Sequence, residues 1–190
     1  MALAALHATM ILKVFTLGMA SPRQAKEPVM TDKATFAAGC FWGVEYAFSQ
    51  VKGVTGTVVG YIGGHTSNPT YEQVCSHTTG HAEAVMVEFD PTVVTYEQLV
   101  KYFFTIHDPT TKNRQGPDIG DQYRSAIFTH TPEQQRIAEQ VKAMLSRSKA
   151  YRMPIVTEVA AAPAFYPAEE YHQKYYIKHK GHVQCPINLL

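Results

Sequence analysis

The apolar positions of the chain switch between a period of two and a period of about 3.6 residues, and the switches mark its elements. Ala34-Thr35-Phe36-Ala37-Ala38 is a short apolar run that predicts a strand, after which Phe41, Val44, Phe48 and Val51 recur at helical spacing. Val54 to Tyr61 is rich in β-branched residues and bounded by Gly53 and Gly63-Gly64, the signature of a second strand. Gly63 to Gly80 reads as a polar loop with one short amphipathic turn, Thr70 to Cys75. Ala82 to Phe89 alternates, with Glu83, Val85, Val87 and Phe89 on one face and Ala84, Met86 and Glu88 on the other. Thr95-Tyr96-Glu97-Gln98 is a capping box; it starts a helix that turns Leu99, Val100, Phe103 and Phe104 inward and stops before Asp108-Pro109. A second polar loop, Thr110 to Asp121, leads into a strand over Tyr123 to Thr129. Thr131-Pro132-Glu133-Gln134 caps a helix to about Lys149, with Ile137, Val141, Met144 and Leu145 on its apolar side. Ile155 to Val159 reads as a last strand, and from Ala160 the chain is mostly irregular, with a short helix after Pro167.

Strand, helix, strand, strand, helix, strand is the order of a split βαβ, so the chain is expected to form a two-layer, ferredoxin-like α+β fold. A mixed sheet would carry helices on one face, with long irregular loops and a tail. Residues 31–190 would be a single catalytic domain, and 177–190, which contains Gly181-His182-Val183-Gln184-Cys185-Pro186, a mobile tail. The first 30 residues differ: Met1 to Ala20 is apolar but holds Lys13 inside the run, where a signal peptide wants its charge ahead of it. The stretch reads as a disordered leader with Met30 as an alternative start and a cytoplasmic product; cleavage after Gly18-Met19-Ala20 and export is the other reading.

Seventeen Lys and Arg against 16 Asp and Glu leave a net charge of +1, so neither nucleic acid nor an anionic membrane surface is an expected partner. Three cysteines, Cys40, Cys75 and Cys185, are too few and too scattered for a disulfide scaffold and suit reactive thiols better.

Cys40 lies in Gly39-Cys40-Phe41-Trp42-Gly43, at a strand-to-helix turn. The unpaired N–H groups and dipole of a helix N-terminus favour negative charge, so this cysteine is expected to hold a usable thiolate. Phe41 and Trp42 would form an apolar wall beside it. Glu83 is in phase with the more apolar face of its strand; taken out of water, its carboxyl would stay protonated near neutrality, unless it reaches back to solvent from the strand end. Two other chemistries use the same residue types. Cys40 activated by His65, His81 or His172 would make a cysteine hydrolase or acyl transferase, and His179, His182 and Cys185, or Cys75, His77 and His81, would make three ligands of a metal site.

The Gly39–Gly43 pentapeptide, Gly80-His81-Ala82-Glu83-Ala84-Val85, and the loop through Asp118, Gln122, Tyr123 and Arg124 together resemble the peptide methionine sulfoxide reductase A family, over about Ala34 to Tyr176. The resemblance implies Cys40 as nucleophile, Glu83 as acid, Tyr71 and Tyr123 as hydroxyl donors, Asp118 as a supporting carboxylate, and Phe41 and Trp42 as receivers of the substrate methyl group. It also implies the S epimer at sulfur, free or in proteins, with thioredoxin as external reductant and no bound cofactor. The chemistry agrees with this assignment: a soft thiolate suits a partly positive sulfur, and oxide cannot leave unless it is protonated. Cys40 would become a sulfenic acid and condense with a second thiol. Some family members carry a pair of tail cysteines, whereas this chain has one, so Cys185 would close a disulfide directly with Cys40, with Gly181 as a pivot; Cys75 would be a packed bystander. A monomer is expected.

Overall fold

The computed structural model describes residues 31–179. The readings of residues 1–30, and those that rest on Gly181, His182 and Cys185, lie outside the described residues. The elements run β1 (Asp32–Ala38), α1 (Phe41–Ser49), β2 (Val54–Ile62), α2 (Tyr71–Cys75), β3 (Ala82–Phe89), α3 (Tyr96–Thr105), β4 (Arg114–Gln115), β5 (Asp118–Ile119), β6 (Ser125–Thr129), α4 (Pro132–Ser148), β7 (Glu158–Ala161), β8 (Phe165–Pro167) and α5 (Tyr175–Lys178). Six strands form one sheet in the order β7-β6-β1-β3-β2-β8, and β4 and β5 make a separate two-stranded ribbon. The four central strands pair antiparallel, with β3 between β1 and β2 and β1 between β3 and β6. This is the expected split βαβ, with α1 and α3 as the two crossovers. β7 adds in parallel to β6 and β8 adds antiparallel to β2, so the sheet is mixed.

Period-two alternation sends Phe36, Val85, Val87 and Phe89 to one sheet face, where they join Phe41, Val44 and Phe48 of α1, Leu99, Val100, Phe103 and Phe104 of α3, and Val141 of α4 in the main core. Phe36 lies at its centre, stacked on Phe48 at 4.7 Å. A smaller apolar cluster, Ala37, Ile62, Ala82, Ala84, Ala126 and Phe128, lines the other face under Ala162 and Phe165. The expected capping box at Thr95 forms, and Thr70 makes another: each hydroxyl accepts the N3 backbone N–H, and each threonine N–H donates to the N3 glutamine oxygen. Among the described residues no helix is long and apolar enough to cross a membrane.

The structure departs from the periodic reading in four places. The strand expected at Ile155–Val159 begins only at Glu158, because the Val156 N–H donates to the Pro109 carbonyl and Thr157 bonds Ser125 before the ladder with β6 opens. β8, inside the stretch read as irregular, pairs with the β2 edge, where Pro167 needs no ladder donor. Tyr123 belongs to a 3₁₀ turn, Asp121–Tyr123, rather than to β6. Met144 is 43% exposed, since the buried stripe of α4 runs through Gln134, Ala138 and Val141 and leaves it at the edge.

Candidate active site

β1 ends at Ala38 and the chain turns through Gly39, whose φ of +93° is the left-handed region that favours glycine. A Cβ there would lie 2.6 Å from Cγ of Gln115, so the β4–β5 ribbon can close over the turn only because residue 39 has no side chain. Cys40 follows as the N-cap of α1, partly exposed, and its carbonyl accepts the Val44 N–H at 3.4 Å. On β3, Glu83 is 2% exposed and its Oε2 accepts the Phe41 N–H at 3.0 Å. The first open donor of α1 is thereby spent on a buried carboxyl one residue from the thiol. The reading in which Glu83 returns to solvent does not hold.

Tyr71 opens α2; its backbone N–H donates to Glu169 Oε1 at 2.9 Å, and Glu169 Oε2 accepts the Tyr61 hydroxyl at 2.9 Å. Its own hydroxyl is hydrogen-bonded to Cys75 one turn later, and burial, that bond and the charge of Glu83 push the phenol above its ordinary pKa. Burial also raises Tyr123, followed by Glu83, Asp118, Cys40 and Cys75, so Tyr123 lies within electrostatic reach of all four groups. Asp118, on β5, is raised by burial. Cys75 is half-buried at this site and not in the core; burial raises its pKa, against the bond from Tyr71.

Trp42 forms one wall. Its indole N–H donates to His172 Nδ1 at 3.1 Å, and Tyr175 stacks on it at 3.9 Å with planes 10° apart. His172, 1% exposed, also lies against Phe41 at 5.1 Å and Tyr71 at 4.6 Å. Of the three histidines considered as bases, His65 is exposed and the other two have ring nitrogens already engaged. His81 accepts the Gly64 N–H on Nδ1 and donates from Nε2 to the Thr66 carbonyl, and His172 Nδ1 serves Trp42. His77 Nδ1 is bonded to Gln122, which takes it out of a shared metal shell with His81. Among the described residues no three His, Cys, Asp or Glu side chains are grouped to hold a metal ion.

The chain matches the family model described as peptide methionine sulfoxide reductase over residues 32–189. It belongs to that family. A relative named peptide methionine sulfoxide reductase MsrA from Methanosarcina acetivorans is 60% identical over 153 residues, which cover 80% of this chain and 81% of the relative. Among solved structures, Mxr1 from Saccharomyces cerevisiae in its reduced form superposes with a TM-score of 0.78 at 35% identity, covering 88% of this chain and 96% of Mxr1. Mxr1 in complex with Trx2 gives a TM-score of 0.55 at 25% identity, covering 80% and 91% of the two chains.

Within this reductase family fold, Cys40, Phe41, Trp42, Tyr71, Glu83, Asp118 and Tyr123 converge on one cleft, while Cys185 lies outside the described residues. Sequence reasoning passed over the side chains that hold the cleft together. His172 entered only as a possible base, and Glu169, Tyr175 and Glu45 did not enter. The one local signal was the density of aromatic residues from Tyr171 to Tyr176.

Proposed function

We propose that this chain reduces the S epimer of methionine sulfoxide, free or in proteins, to methionine and so repairs oxidised methionine. The observation that carries the reading is the 3.0 Å bond from the Phe41 N–H to Glu83, which sets a buried carboxyl beside the Cys40 thiol. The Cys40 thiolate attacks the sulfoxide sulfur as Glu83 gives its proton to the oxygen; oxygen passes to Cys40 as a sulfenic acid, and methionine leaves. The carboxylate that remains keeps the Phe41 N–H and the positive end of α1, both of which favour charge at that moment. Tyr123, held neutral by burial, offers its hydroxyl donor to the same oxygen, Tyr71 turns its own from Cys75 to join it when substrate enters, and Asp118 supports them. Reduced methionine leaves those donors unpaired, and such sites reject the analogue by ~10⁴ or more in favourable cases. The wall of Phe41 and Trp42 takes the methyl group; worth only ~1–3 kcal/mol, it orients and sorts epimers.

The sulfenic acid then condenses with the Cys185 thiol, losing water and leaving a disulfide that a thioredoxin dithiol reduces. Tyr175 already lies on Trp42, and the ten residues from there to Cys185 span up to about 35 Å when extended, ample reach for Cys40. The Mxr1–Trx2 complex supports thioredoxin as reductant. No bound cofactor enters this cycle, and every group up to the disulfide comes from one chain, so a monomer suffices. The test is to offer the resolved epimers with dithiothreitol to the wild type and to Cys40→Ser. Reduction of the S epimer alone, abolished by the substitution, is expected; equal reduction of both epimers, or an active variant, overturns the proposal.

A further inference from the structure

One buried carboxylate is idle in this chemistry. Glu45 is 1% exposed and lies three residues after Trp42 on α1, so the two side chains share a helix face. Its Oε2 accepts the Lys174 N–H at 2.7 Å and its Oε1 accepts the Thr57 hydroxyl at 3.1 Å. Lys174 has φ +55°, a left-handed conformation that a residue with a side chain adopts only when its surroundings hold it there. Two of the rings against Trp42 flank this turn. His172, two residues before it, takes the indole N–H, and Tyr175, the next residue, stacks on the indole. Between them Gln173 pins the segment to β2 through the Val59 N–H and carbonyl.

We propose that Glu45 is a positioning residue for the sulfoxide pocket: its carboxylate holds Lys174 in the left-handed turn and thereby sets His172 and Tyr175 against Trp42. The inference rests on the reading of Trp42 as part of the methyl-binding wall. Without the carboxylate the Lys174 N–H loses its partner, the turn relaxes and the indole loses its support, whereas the Phe41–Glu83 bond beside Cys40 is untouched. Binding should therefore suffer and chemistry should not.

Trp42 is the only tryptophan of the chain, so its fluorescence reports on the wall without reference to activity. Glu45→Ala is expected to shift that emission to the red and to raise KM for the S-sulfoxide, with dithiothreitol as reductant, roughly tenfold while kcat stays within about threefold. Glu45→Gln still offers an oxygen to Lys174 and should recover most of both; Thr57→Val, which removes the other partner, should leave the emission as in the wild type. If Glu45→Ala does not fold, Glu45→Asp, one methylene too short to reach Lys174, is expected to show the same red shift and KM rise. Wild-type emission and KM in the folded Ala or Asp variant overturn the proposal, as does a loss confined to kcat. A wild type that reduces no sulfoxide defeats the proposed function instead, and the emission series still tests the clamp.

Discussion

At the scale of single residues, the pairing of Cys40 with Glu83 separates two kinds of loss. Glu83→Gln keeps an oxygen for the Phe41 N–H and removes the proton, so single-turnover formation of the sulfenic acid should slow by roughly 10²–10⁴ with the melting temperature little changed. A variant with wild-type single-turnover rates would remove Glu83 from the acid's role. His107 predicts a pH effect on stability that is independent of activity. It is 3% exposed, bonded to the Phe103 carbonyl and Ser125, and burial lowers its pKa from 6.5 to about 4. Between those values the unfolded chain binds a proton that the folded chain refuses. Stability is therefore complete above about pH 6.5 and falls by up to ~3 kcal/mol as the pH drops towards 4. Urea midpoints at pH 7.5 and 4.5 measure this, and His107→Asn should flatten the slope; an unchanged slope refutes it. Glu83 was legible beforehand because the period of a strand assigns each side chain to a face. His172 was not, since a lone histidine carries no local mark of the indole that a distant element brings to it.

Elements set those side chains by their ends. β1 meets α1 through Gly39, and the closeness of Gln115 makes that junction intolerant of a side chain. Gln115 cannot easily give way, because its amide is bonded to the backbone of Asp108 on both sides. Gly39→Ala should thus cost ~1–3 kcal/mol, read as a lower melting temperature, and should slow alkylation of Cys40 by iodoacetamide, because the N-cap shifts. Melting and alkylation unchanged from the wild type would show that the turn adapts. The capping box at Thr95 was readable because both partners lie within four residues; the one at Thr70, built the same way, read only as a short amphipathic turn. β8 was unreadable because three residues containing a proline become a strand only when an edge is offered, and the edge belongs to β2.

For the molecule as a whole, the proposed cycle draws the thiol from the N-cap of α1, the acid from β3 and the second thiol from Cys185. Cys185→Ser is expected to complete one turnover, releasing about one methionine per chain, and then to stall with thioredoxin as the only reductant. Sustained turnover with thioredoxin in that variant would assign resolution elsewhere, with Cys75, bonded to Tyr71 in the cleft, first in line. The split βαβ topology and the outline of the site were present in the amino-acid order itself. Periodicity, capping and the Gly39–Gly43 and Gly80–Val85 motifs are properties of neighbours in the chain, and the forces behind them act over a few residues. What only the tertiary structure decided is how the parts meet. That Glu83 bonds the residue next to Cys40, and that Glu45 and Glu169 anchor a late segment under Trp42 and Tyr71, follows from burial. A carboxyl or N–H removed from water must find a partner wherever the packing places one, and that choice is made across the sheet rather than along the chain.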